Sequence, residues 1–216
     1  NRVASYSIEI YERWAQKQGK SQEDIDKVRD VFRMAAMLHD VGKVAISDTI
    51  LKKPARFTPE EFEVMKLHTV MGAQLFTEKQ SDFDEAAGVV ALTHHERWDG
   101  QGYPGYVDLT TGRPIPDFAT PEGKAKGKAG EEIPLMGRIV AIADVYDALC
   151  SRRVYKPAWD EQEALDMIQQ GAGGQFDAEL VDIFFSVLDQ IRSIRERYPD
   201  KMEQAPKQAA PGTPKE

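Results

Sequence analysis

The chain has 216 residues, 41% hydrophobic and 30% charged, a balance that fits one globular domain with tails rather than a fibrous or disordered chain. Its net charge of −8 lacks the basic footprint of a nucleic-acid-binding module, and no apolar run nears the roughly 18 residues of a membrane span. A single cysteine, Cys150, excludes an intramolecular disulfide framework and points to a reducing, cytoplasmic setting.

Apolar spacing is helical almost throughout. Residues 2–18 place Val3, Tyr6, Ile10 and Trp14 on one stripe and stop before Gly19. Ser21 caps a second helix with Ile25, Val28, Phe32, Ala35 and Leu38 inward, predicted to end near Gly42. Thr58-Pro59-Glu60-Glu61 is a start signal, an N-cap threonine with Pro in the first turn and Glu three residues on, for a helix reaching about Phe76. Further helices are expected at about 84–96, at about 136–151, from Asp160 to Gly171, and as one long element from Asp177 to before Pro199. The fold class read from this is all-α, a bundle of about seven helices. Residues 99–134 hold seven Gly and five Pro and read as a long loop, with Gly123–Glu132 expected to be mobile. Residues 199–216 are polar, contain prolines and read as a disordered tail. The sequence opens on Asn1, without Met, and reads as a fragment.

The four histidines, His39, His68, His94 and His95, all fall in or at the end of predicted helices and none in the loop or tail. Asp144 lies inside the apolar helix Arg138–Tyr146, where a lone carboxylate is costly without a partner. Imidazoles and carboxylates together suit zinc, iron, manganese or nickel. His39 and Asp40 are adjacent, so on a helix they diverge by about 100° and can face two neighbouring metals, the Asp bridging. Paired divalent ions are a standard device for cleaving phosphate esters.

The run His39-Asp40-Val41-Gly42-Lys43 resembles the signature of the HD phosphohydrolases. The run His94-His95-Glu96-Arg97-Trp98-Asp99-Gly100-Gln101-Gly102-Tyr103-Pro104 is similar to the HD-GYP subgroup, bacterial phosphodiesterases of the second messenger cyclic di-GMP. The match continues through Ala143–Leu149, Arg153, Tyr155, Lys156 and Gln175-Phe176-Asp177, covering about residues 2–190. The resemblance implies an HD-domain-like bundle over 1–198, with 105–134 as an inserted loop after the Gly-Tyr-Pro run. It implies His39, Asp40, His68, His94, His95 and Asp144 as ligands of two or three divalent metals, iron ahead of manganese, nickel and zinc. Catalysis falls to Asp40 and Lys43, with a hydroxide bridging the metals as nucleophile. Lys43, Arg153 and Lys156 are implied to contact substrate phosphate, and Lys and Arg are the side chains suited to it. Gly102, Tyr103 and Pro104 are implied to shape the mouth, with Tyr103 stacking on a guanine or packing a turn. Asp147, one turn after Asp144, is expected to support Lys43, and Cys150 reads as an ordinary small apolar residue.

Three departures stand out. Family members carry a further Glu and His just upstream of Asn1-Arg2-Val3, and these bear on whether two or three metals bind. About 27 residues separate Tyr106 from Pro134, longer than usual, as a lid or an insertion. Val154 stands where a proline is common. The expected products are linear pGpG and, after a second round, GMP. Expected partners are cyclic di-GMP and a regulatory N-terminal domain or a diguanylate cyclase. The alternatives are an HD hydrolase of another nucleotide and a slow, cyclic-dinucleotide-binding sensor or docking module.

Overall fold

The computed structural model describes residues 2–151 and 159–199. Helix α1 (Arg2–Lys17) buries its predicted stripe, with Tyr6 and Ile10 fully enclosed. Helix α2 (Gln22–Met37) starts where Ser21 accepts the Asp24 N–H at 3.2 Å. It stops five residues short of Gly42. Leu38 N–H turns back to Ala35 O, and the chain tightens into a 3₁₀ segment at Val41–Ala45. His39 and Asp40 therefore sit on a turn rather than on a helix. The cause is contact with the next long helix. Gly42 lies against the His68 carbonyl and Gly72, an approach that only a residue without Cβ permits.

A four-residue helix that the spacing did not announce, α3 (Asp48–Leu51), leads into α4 (Pro59–Gln74). The α4 start signal closes as predicted. Thr58 Oγ1 accepts Glu61 N–H at 3.3 Å and Glu61 Oε2 accepts Thr58 N–H at 2.7 Å. Helix α5 (Asp82–Thr93) ends one residue before His94, so His94 and His95 also project from a helix terminus. Helix α6 (Leu135–Cys150) is apolar through its centre. It packs on α1 and α5, and α1 also packs on α2. Tyr146 of α6 meets Tyr6 edge-on at 5.6 Å. Such pairs add about 0.5–1.5 kcal/mol beyond burial. Cys150 is buried in the same core.

Helix α7 (Glu161–Gln170) is capped by Asp160 and α8 (Ala178–Ser186) by Asp177. The single long C-terminal helix expected from the sequence is two. Val187 breaks it, and α9 (Leu188–Arg197) follows. The Ser186 hydroxyl donates to Ile183 O at 2.7 Å, a local bond that competes with the helix ladder. The break lets Phe184 and Ile191 both enter the core with no exposed surface.

Among the described residues there are thus nine α-helices, isolated β-bridges and no extended strand. The stretch 99–134 is a loop as expected, but not a loose one. Tyr106 N–H bonds Lys126 O, Lys126 N–H bonds Phe118 O, and Gly130 N–H bonds Trp98 O. The Gly123–Glu132 segment expected to be mobile is laced to the body of the loop by these bonds. No helix is long and apolar enough to cross a membrane among the described residues.

Candidate metal centre

Four helices and the turns after them carry the cluster. The α2–3₁₀ turn supplies His39 and Asp40, α4 supplies His68, the end of α5 supplies His94 and His95, and α6 supplies Asp144. One ligand atom from each of Asp40, His68, His94 and His95 lies within 4.8 Å of the others. Asp40 Oδ1 is 3.4 Å from His68 Nε2 and 3.8 Å from His94 Nε2. His39 Nε2 joins through Asp40 Oδ2 at 3.5 Å and Asp144 Oδ1 at 3.6 Å. The six residues selected from the sequence therefore converge.

Backbone contacts fix how the rings face. His39 Nδ1 lies 2.8 Å from Ala36 O, His68 Nδ1 2.6 Å from Met65 O, and His94 Nδ1 3.0 Å from both Val90 O and Ala91 O. A carbonyl can only accept, so each Nδ1 carries the proton, and on His68 and His94 Nε2 is left to present a lone pair inward. His68 Nε2 and His94 Nε2 then face each other at 3.4 Å. Two facing lone pairs repel unless a cation lies between them. Asp40 Oδ1 is buried with no hydrogen-bond partner. These donors fit a divalent ion, with the carbonyl-anchored imidazoles arranged as metal-ligating histidines usually are.

The electrostatics favour anions at the rim and cations at the centre. Burial pushes the Asp40 carboxyl up, but contact with the His39 and His94 rings and the charge of Lys43 outweigh it and hold it far below the usual range. Burial likewise opposes Asp144, and His39 again prevails, so this carboxyl too is lowered. Burial pulls His39 down, yet Asp144 and Asp40 raise it to about 10. Burial dominates at His68, lowered to about 4, and at His95, which is lowered further, so both rings stay neutral donors at neutral pH.

Around this centre, Lys43 Nζ donates to Asp40 Oδ2 at 2.6 Å. Asp147, expected to support Lys43, is paired instead with Arg2 at 2.7 Å, because it faces α1 rather than the 3₁₀ segment. Tyr103 stacks on His95 with centroids 4.8 Å apart and lines the adjoining cavity. Arg153 and Lys156, with Val154 and Tyr155, lie outside the described residues.

The sequence reading gave Glu96 no role, although it lies inside the His94–Pro104 run. Its side chain is 3% exposed. One oxygen accepts Gly105 N–H at 2.6 Å and the other Lys128 N–H at 3.2 Å, joining the Gly-Tyr-Pro turn to the long loop. Burial raises its pKa, partly offset by those two bonds. Glu96→Gln puts an amide N–H against a backbone N–H. It is expected to cost about 1–3 kcal/mol in a thermal melt, the range for a buried polar group left unpaired.

The HD domain family profile matches residues 2–149, and a second HD-domain profile matches residues 121–180. A cyclic di-GMP phosphodiesterase of Vibrio cholerae is 42% identical over 79% of the chain, which spans 32% of that relative. The 3′3′-cGAMP-specific phosphodiesterase 2 of the same organism is 34% identical over 92% of the chain, which spans 33% of it. The chain thus spans about a third of the length of these relatives. Among solved structures, Bd1817, an HDG"Y"P protein from Bdellovibrio bacteriovorus, shares the fold with a TM-score of 0.55 at 18% identity. That match covers 87% of this chain and 51% of the other.

Proposed function

Because the chain belongs to the HD-domain family, in its HD-GYP branch, we propose that its His/Asp cluster hydrolyses a phosphodiester bond of a cyclic dinucleotide, cyclic di-GMP first, to linear pGpG. The observation that carries this reading is the convergence of the His68 and His94 Nε2 lone pairs on a buried, unpartnered Asp40 oxygen, with His95 in the same cluster, beside an open cavity. His39, Asp40, His68, His94, His95 and Asp144 would hold two or three divalent cations, iron ahead of manganese, nickel and zinc. Bound there, such cations supply an activated water and neutralise phosphate charge.

The chain's own groups do the rest. Asp40 and Asp144 set the negative charge that gathers cations, and the neutral rings of His68 and His95 need no deprotonation to serve as donors. Lys43, already at the edge of the cluster, offsets charge developing on a non-bridging phosphate oxygen. Arg153 and Lys156 hold and orient the phosphate in this reading, and a second round yields GMP. The relative specific for 3′3′-cGAMP favours a second reading, the same chemistry on that dinucleotide.

The test is elemental analysis of protein purified without oxygen, paired with product analysis on both dinucleotides. At least two equivalents of divalent metal and a linear product are expected. Metal and binding without hydrolysis would favour a sensor or docking module, and hydrolysis without metal would refute the mechanism.

A further inference from the structure

Two cavities, written below as an inner and an outer lobe, lie outside the cluster and share one lining residue, Phe62. The inner lobe is a cavity of about 310 Å³ lined by His94, His95, Gln101, Tyr103, Lys66 and Phe62. The outer lobe, about 590 Å³, is lined by Arg56, Phe57, Thr58, Pro59 and Phe62. The inner volume is at the small end of ligand cavities, room for one half of a dinucleotide rather than the whole.

The residues at these lobes are ones the core does not need. Phe62 is 43% exposed and Phe57 36%, although both are fully apolar. Lys66 follows Phe62 by four residues on α4, so both lie on one face. Its Nζ stands 4.8 Å from the Phe62 ring centroid and 5.6 Å from that of Tyr103, sharing its charge with Glu63 at 2.8 Å. Arg56 has no ion-pair partner among the described residues.

Resting on the cyclic-dinucleotide reading above, we propose that the lobes receive the two guanine bases of one cyclic dinucleotide on either side of Phe62, Lys66 reading the inner base and Arg56 the outer. Aromatic faces accept any base, because every base has a π surface. They supply affinity without choosing the purine. Both purines present the N7 acceptor, but beside it guanine presents the O6 acceptor where adenine presents an N6 amino donor, and Lys and Arg are donors only. The two cations therefore favour guanine in each lobe, and cyclic di-GMP over 3′3′-cGAMP.

The experiment uses the metal-loaded chain and its Phe62→Ala, Lys66→Ala and Arg56→Ala variants, with KM and kcat measured on both dinucleotides and metal content measured alongside. Phe62→Ala should raise KM for both substrates by roughly tenfold, the scale of losing one base-stacking partner. Lys66→Ala and Arg56→Ala should each narrow the preference for cyclic di-GMP by roughly tenfold, the scale of one base-edge contact, with metal retained. If Phe62→Ala sheds metal, Phe62→Leu keeps the apolar bulk, removes the aromatic face and takes its place. Wild-type hydrolysis with KM and preference unmoved in the variants overturns the cradle alone. A wild-type chain that holds metal yet hydrolyses neither dinucleotide overturns the reading beneath it, and the cradle with it.

Discussion

Asp40→Ala is expected to strip divalent metal from the chain and to lower turnover on cyclic dinucleotides by roughly 10²–10³-fold or more, the scale of losing a group that organises developing charge. Asp40 is the hub of the cluster. It alone touches His39, His68, His94 and Lys43. Its removal leaves the His68 and His94 Nε2 atoms facing each other at 3.4 Å with no carboxylate beside them, and only Asp144 to bring negative charge to the cluster. The helices do not depend on it, so far-UV circular dichroism should be unchanged. Asp40→Asn sharpens the test, since it keeps the shape and removes the charge. A metal-free Asp40→Asn protein with full activity would contradict the assignment.

Gly42→Ala is expected to destabilise the fold and to disarm the site together. A Cβ at this position would overlap the His68 carbonyl and the Gly72 amide, and backbone cannot swing aside as a side chain can. The 3₁₀ segment has to lift from α4, at a cost of about 3 kcal/mol, the upper part of the range for overpacking. For a domain of this size the thermal midpoint should then fall by about 6–12 °C. The same displacement pulls Asp40 from His68, so metal affinity should drop by about 10–100-fold, as when a supporting group of a metal site is lost. A midpoint and a metal content equal to those of the wild type would show that the glycine contact is not what joins the two segments.

Much of this was legible before any coordinates. The α4 start is written in Thr58 and Glu61, and the capping box forms. The buried Asp144 announces a partner because a carboxylate in an apolar helix is costly, and His39 lies 3.6 Å away. Periodicity fails where the decisive contact is distant. Nothing near Leu38 ends α2, since the cause is Gly42 meeting α4 some thirty residues later. The last helix breaks at Val187 with neither Gly nor Pro there to mark it, and the Ser186 hydroxyl bond to Ile183 O is not a signal that spacing shows. The loop's glycines and prolines signalled irregular backbone correctly, but irregular is not loose. Glu96 holds the loop from a residue whose burial no local pattern shows. Phe62 and Lys66 escaped notice for a related reason. Their spacing on α4 is that of any helix face, and only the neighbouring Tyr103 turn makes that face one side of a groove.

The carbonyl tethers on His39, His68 and His94 carry a thermodynamic consequence. A free imidazole would surrender torsional freedom at the moment of capturing an ion, and that loss would weaken the grip. Here the torsions are frozen by Ala36, Met65, Val90 and Ala91 as soon as the helices form. The entropy is lost once, in folding, and ion capture begins from donors already at rest.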